Sequence, residues 1–187
     1  ITATLLASSV LIAYWGVITW LPAFLATPVA KGGAGLTITK SAAWLILLQL
    51  GAFFGYISFG WFADRFGRRL AFTGFMIAAT IVVPLFAFGA RSALTLLIIG
   101  PLVGYFAHGY FSVFGAMLAE LFPTRFRASA QGFCYNAGRL ASAAAPLAIG
   151  AAAQKHGLGP AIAVDALFFA VGAVLIWMLP ETKGAEL

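Results

Sequence analysis

Charge is what this chain has least of. Only 9% of its 187 residues are Asp, Glu, Lys or Arg, against about 25% in an ordinary soluble domain. So few charges cannot cover a water-facing surface, and a soluble globular fold is excluded. A single cysteine, Cys134, rules out a disulfide framework. Two histidines and one cysteine are too few for a zinc site of the usual spacing. A phosphate-cradling glycine loop and a nucleophile triad are missing as well, so neither an enzyme, an ATP-driven pump, a metal site nor a cofactor is expected. Acids number five against eleven basic residues, giving a net charge of +6. In a chain this apolar the excess points to loops lying against anionic lipid headgroups, not to nucleic acid. The first residue is Ile1, and no basic segment precedes the first apolar run. No signal peptide is therefore expected, and the chain reads as truncated at its start.

What is abundant is uninterrupted hydrophobic sequence, 63% of the residues. Ile1–Ala30, Ser41–Ala63, Leu70–Ala90 and Ser92–Ala119 carry no charge, and two further runs are each broken once, by Arg139 and by Asp165. Each is long enough for the roughly 20 residues that cross a bilayer as a helix. Alternating segments of about 10 residues, which a membrane β-barrel needs, are not found. The expected fold is an all-α, multi-pass integral membrane protein with six transmembrane helices near 3–26, 41–63, 70–90, 92–121, 128–153 and 158–180.

The connections fall into two sets. Pro28–Lys40, with three glycines, predicts a flexible link, and Arg91 and Lys155–Gly159 mark two further turns on that side. The opposite side holds Asp64–Arg69, Pro123–Arg127 and Pro180–Gly184. It carries six Lys and Arg residues against four on the first side, which places it in the cytoplasm together with the amino end. Within the spans, Gly51-x-x-x-Gly55, Gly100-x-x-x-Gly104 and the run Ala141–Ala145 predict close helix packing. Pro84, Pro101 and Pro146 predict bends, either as gating elements or as plain kinks.

The stretch Gly60-Trp-Phe-Ala-Asp64-Arg65-Phe-Gly67-Arg68-Arg69 is a charged hinge between two apolar runs. It resembles the G-x-x-x-D-R-x-G-R-R loop of the major facilitator superfamily, which that family carries after its second helix and again after its eighth. Glu120-Leu-Phe-Pro123-Thr-Arg125-Phe-Arg127 resembles the loop after the family's tenth helix. Pro180-Glu181-Thr182-Lys183-Gly184 resembles the P-E-T-K-G that closes the twelfth helix in its sugar-porter-like members. The stretch Gln131 to Arg139 is similar to the eleventh helix of the organic-acid and sialic-acid proton symporters. The resemblance covers the whole chain as one half-domain, residues 1–187, equivalent to helices seven to twelve: two inverted three-helix repeats, with the amino-terminal half absent.

It implies a secondary transporter that works by alternating access in a bacterial inner membrane. Its partners would be a small-molecule substrate, a proton, the lipid bilayer and the missing half of the same protein. Asp64, Arg65, Arg68 and Arg69 would lie level with Glu120, Arg125 and Arg127, where opposite charges latch helix ends together. The alternative is that these charges only set topology.

Polar groups at membrane depth are the candidates for the substrate site. Gln131, Tyr135, Arg139 and Ser142 follow helical spacing along one face of the fifth span, with Asn136 beside them. They read as the wall of a water-filled cavity. The forked donors of Arg139 suit a carboxylate, so a small organic acid is the preferred substrate; the alternative for Arg139 is an ion pair with the absent half. His108, flanked by Tyr105 and Ser112, is either a proton relay or a packing histidine. Tyr14, Trp15, Trp20 and Gln49 are cavity candidates by depth. Asp165 is expected to face an aqueous vestibule or a lysine near Lys155. A sugar or polyol carrier and a non-transporting membrane scaffold subunit remain as rival readings.

Overall fold

The computed structural model describes residues 1–89 and 92–184, and among these it is helix and loop without a strand. Ala90, the expected end of the third span, and Arg91, an expected turn marker, lie outside the described residues. Three long helices come first: α1 (Thr2–Ala26), α2 (Ile38–Phe66) and α3 (Arg68–Gly89). Then α4 (Ala93–Gly109) and α5 (Phe111–Glu120) run on through Tyr110. The remainder is α6 (Arg127–Ser142), α7 (Ala145–His156), α8 (Leu158–Asp165), α9 (Leu167–Leu175) and a 3-10 turn, Ile176–Met178.

Five stretches are long and apolar enough to cross a membrane: Thr2–Ala26, Ile38–Phe66, Arg68–Gly89, Leu94–Glu120 and Leu158–Met178. The expected span 128–153 is instead divided. Helix α6 ends at Ser142 and α7 starts at Ala145, with Ala143 and Ala144 as the caps between them and Pro146 in the first turn of α7, where a missing N–H costs nothing. Pro84 and Pro101, by contrast, sit inside α3 and α4 without ending them.

The long helices α2 and α3 turn apolar faces outward. On α3, Ile77, Ile81, Leu85 and Phe88 follow one helical stripe and are each at least half exposed, which is the pattern of a lipid-facing surface. The inner side of the same helix buries Phe72, Phe75, Met76, Ala79, Val83 and Phe86. Phe24, Phe59, Phe72, Tyr110, Phe114 and Phe169 are wholly buried inside the bundle.

Glycines set the closest approach. A Cβ at Gly51 would overlap the carbonyl of Pro101, one at Gly55 that of Tyr105, and one at Gly104 that of Leu48, so α2 and α4 meet backbone to backbone. Gly100 has only a Phe86 ring atom nearby, at 3.9 Å, and takes no part in this contact. The link after α1 is not slack, as its glycines suggest. It folds back through Ala34 N–H to Phe24 (2.9 Å) and Leu36 N–H to Leu25 (2.8 Å), and its Gly32 carbonyl accepts from Gly159 N–H at 3.2 Å.

Candidate functional site

The polar groups at depth separate into two sets. Tyr14 on α1 is the centre of the first, its ring edge-on to His108 (5.0 Å), Trp15 (5.3 Å) and Phe111 (4.7 Å). His108 is buried, with Nδ1 3.2 Å from the Gly104 carbonyl; because a carbonyl only accepts, Nδ1 carries the hydrogen. Next to Trp15, a cavity of about 210 Å3 is lined by Arg139, Ser142, Ala143 and Pro146. Arg139 is exposed and forms no salt bridge among the described residues. Its position follows from Gly138, whose missing side chain lets α6 lie against the Ala7 backbone of α1.

Other expected members stand apart from this cavity. Tyr105 faces the opposite way: its hydroxyl accepts from Ser58 Oγ at 2.6 Å and its ring stacks on Phe75, so it belongs to the α2–α3–α4 packing. Gln131 donates to the Gly115 carbonyl at 2.9 Å, tying α6 to α5, and Tyr135 lies against Phe114. Asn136 is exposed, donating to Gly132 one turn back, and Ser112 likewise donates to Gly109. Gln49 is exposed on α2. Trp20 donates to the Pro146 carbonyl at 2.8 Å, holding α7 to α1 just past the break. Asp165 has no lysine partner among the described residues; it is buried against Gly16 and lines a cavity.

At the charged end the sequence motifs converge, with an ion pair between helix ends at Arg68 and Glu120. Arg68 forks onto Glu120 with Nη2 to Oε1 at 3.2 Å and Nε to Oε2 at 3.4 Å, and its Nη1 reaches Asp64 at 2.6 Å. The Thr182 hydroxyl also donates to Glu120. Glu181 is the hub. Its Oε1 accepts from the Arg68 N–H at 2.8 Å and its Oε2 from the Arg69 N–H at 3.0 Å, capping the start of α3. Thr182 N–H and Lys183 N–H add two more bonds to Oε1. Burial pushes the Glu181 carboxyl up, but these four amides outweigh it and hold it below its ordinary value of 4.5.

Arg69 donates to the Leu179 carbonyl and, at 3.4 Å, to that of Trp177, with its guanidinium over the Trp177 ring. Lys183 Nζ donates to the Arg65 carbonyl at 2.7 Å. Arg65 lies over the Trp61 and Phe66 rings, Arg127 bonds the Phe122 carbonyl and Thr124, and Arg125 is exposed. Gly67, at φ +100°, makes the turn; Gly60 and Gly184 have none of the described residues within 4 Å of where a Cβ would be. Pro180 leads from the 3-10 turn into this cluster. The roles of Glu181 and Thr182 leave no local trace, because their partners lie 113 and 62 residues away.

Outward apolar stripes, backbone-close helix pairs and a charged cluster at one end define an integral, multi-pass helical membrane protein. The family model for the Major Facilitator Superfamily matches residues 3–186, and the chain belongs to that family. A Cupriavidus pinatubonensis protein named for 4-methylmuconolactone transport is 32% identical over 97% of this chain and 42% of its own length. The cis,cis-muconate transport protein of Acinetobacter baylyi is 30% identical over 91% of this chain and 40% of its own. This chain thus spans about two-fifths of the curated relatives it matches. The crystal structure of the POT family transporter PepTSo superposes over 100% of the chain and 39% of its own, with TM-score 0.81 at 15% identity, a likeness of fold alone.

Proposed function

We propose that this chain is one half of a secondary transporter that moves a small organic acid across a bacterial inner membrane by alternating access, with protons. The observation that carries the reading is Arg139: an exposed guanidinium beside Trp15, at the mouth of a cavity, without an acid to neutralise it among the described residues. A guanidinium at such depth costs about 2.5–3.5 kcal/mol on insertion scales and is kept where it does something. A carboxylate fits its paired donors, and the Trp15 ring on the same cavity supplies an aromatic face for an aromatic or unsaturated acid. Two relatives named for muconate and muconolactone transport support that class. The closing motif, which suggests sugars, does not compete: Glu181 and Thr182 are spent on a helix cap and on Glu120, so the motif speaks for the fold and not for the solute.

The test is uptake of a panel of carboxylates, sugars and polyols into vesicles containing the transporter. A charge-assisted bond is worth about 1.5–3 kcal/mol, so Arg139→Gln raises KM for the acid by roughly 10- to 100-fold. Arg139→Lys recovers part of it, having charge without the fork. An unchanged KM in a correctly inserted variant, or uptake of sugars alone, refutes the reading. Proton coupling is read from alkalinisation of the medium on adding the solute.

A further inference from the structure

Asp165 closes α8 in the middle of the last apolar stretch and is 5% exposed. It forms no salt bridge among the described residues, and its Oδ2 has no hydrogen-bond partner. Gly16 of α1 faces it so closely that a Cβ there would overlap the carboxyl carbon and both oxygens. The acid therefore fills a notch that any other residue at position 16 would close. In front of it opens a cavity of about 500 Å3, walled by apolar groups such as Ile12, Ala148, Ile149 and Phe168, which follows α7 to its last residue, His156. His156 is exposed.

Among the described residues, the groups around Asp165 supply no counter-charge. On α1 the titratable residue nearest in sequence to Gly16 is Tyr14, whose ring is turned to His108 and Phe111. Tyr110 gives its hydroxyl to the Val10 carbonyl. Arg68 and Arg69, the charges of α3, are engaged at the charged end with Glu120, Asp64 and the Leu179 carbonyl. From α7 the titratable group on the cavity wall is His156, and its neighbour Lys155 is exposed. A carboxylate with an orphan oxygen on an apolar wall pays the full cost of a buried charge, whereas the neutral acid pays only that of an imperfectly bonded polar group. The notch suits the neutral acid; the ionised one must leave it for the cavity, where water reaches it.

We propose that Asp165, seated in the Gly16 notch and opening on the α1–α7–α8 cavity, is a proton-binding site within the last span. A solvent proton enters at the His156 end, forms an O–H bond on the carboxylate and cancels one negative charge; release by the same route restores it. The site stands whatever solute the protein carries.

Dicyclohexylcarbodiimide tests this, because it adds to neutral carboxyls in apolar surroundings. Membranes containing the protein are treated across a range from acid to alkaline pH, and the adduct is located by peptide mass spectrometry. Of the five acids, Asp165 takes the label, with a yield that falls as pH rises. Asp165→Asn abolishes it, and Asp165→Glu, which keeps the acid, retains it should the Asn variant fail to insert. Gly16→Ala, which puts a methyl in the notch and drives the carboxyl toward water, moves the fall to lower pH. Absence of label at residue 165 in both the unaltered protein and Asp165→Glu overturns the proposal, as does a yield independent of pH.

Discussion

Gly67 lies beneath the carboxylate of Glu181: a Cβ on residue 67 would stand 2.9 Å from Oε2. The same glycine has φ +100°, which side-chain-bearing residues rarely adopt. Gly67→Ala therefore meets two penalties, a strained backbone and a displaced cap, and is expected to cost about 1–2 kcal/mol. Gly60, the other glycine of the motif, has open space about it within α2, so Gly60→Ala is neutral or stabilises by up to about 1 kcal/mol. Thermal unfolding of the two variants in one detergent checks the difference, and equal shifts would contradict it.

Glu181→Gln removes the charge that caps α3 and is expected to cost roughly 1 kcal/mol. The pH dependence follows from the same bonds. Because the folded carboxyl titrates below its usual 4.5, its contribution is complete above that value and fades as pH falls through the folded value. Unfolding midpoints measured down through that range should decline more steeply for the unaltered protein than for Glu181→Gln.

The two acids bound to Arg68 are predicted to differ. The Glu120 side chain is 11% exposed and the Asp64 side chain 75%. A double-mutant cycle between Arg68→Gln and Glu120→Gln should give a coupling of about 1.5–3 kcal/mol, as for a shielded charged hydrogen bond. The Arg68–Asp64 cycle should give no more than about 1 kcal/mol.

Gly104 and Gly100 share one motif but not one environment. Gly104→Ala forces a methyl onto the Leu48 carbonyl and is expected to separate α2 from α4, lowering the yield of folded protein in detergent. Gly100→Ala meets nothing closer than 3.9 Å and should purify as the unaltered chain does.

Elements built from nearest neighbours were readable in the chain. Gly67 ends α2, Thr37 caps it by accepting from Lys40 N–H, and the apolar lengths of the first four stretches match their helices within a few residues. What pairs distant residues was not. Spacing puts Tyr105 one turn from His108, yet one joins Ser58 and the other Tyr14, because α2 and α1 pass on different sides of α4. The break at Ala143–Ala144 falls in a run of small residues with no marker except Pro146, and the stripe through Gln131 and Arg139 loses its continuity to Gln131's bond with Gly115. Asp165 was conspicuous by charge alone; that it has Gly16 and not a lysine against it needed the packing of α1 on α8.

The cap on α3 carries a consequence for biosynthesis. Glu181 is made 113 residues after Arg68, and at ~5–20 residues per second the ribosome delivers it on the order of ten seconds later. Until then the amides at the head of α3 have only solvent to satisfy them, and Glu120 and Arg68 can pair without Thr182 to steady them. The charged end is thus assembled last, and a ribosome that stalls inside the final helix leaves three earlier helix termini unfinished at once.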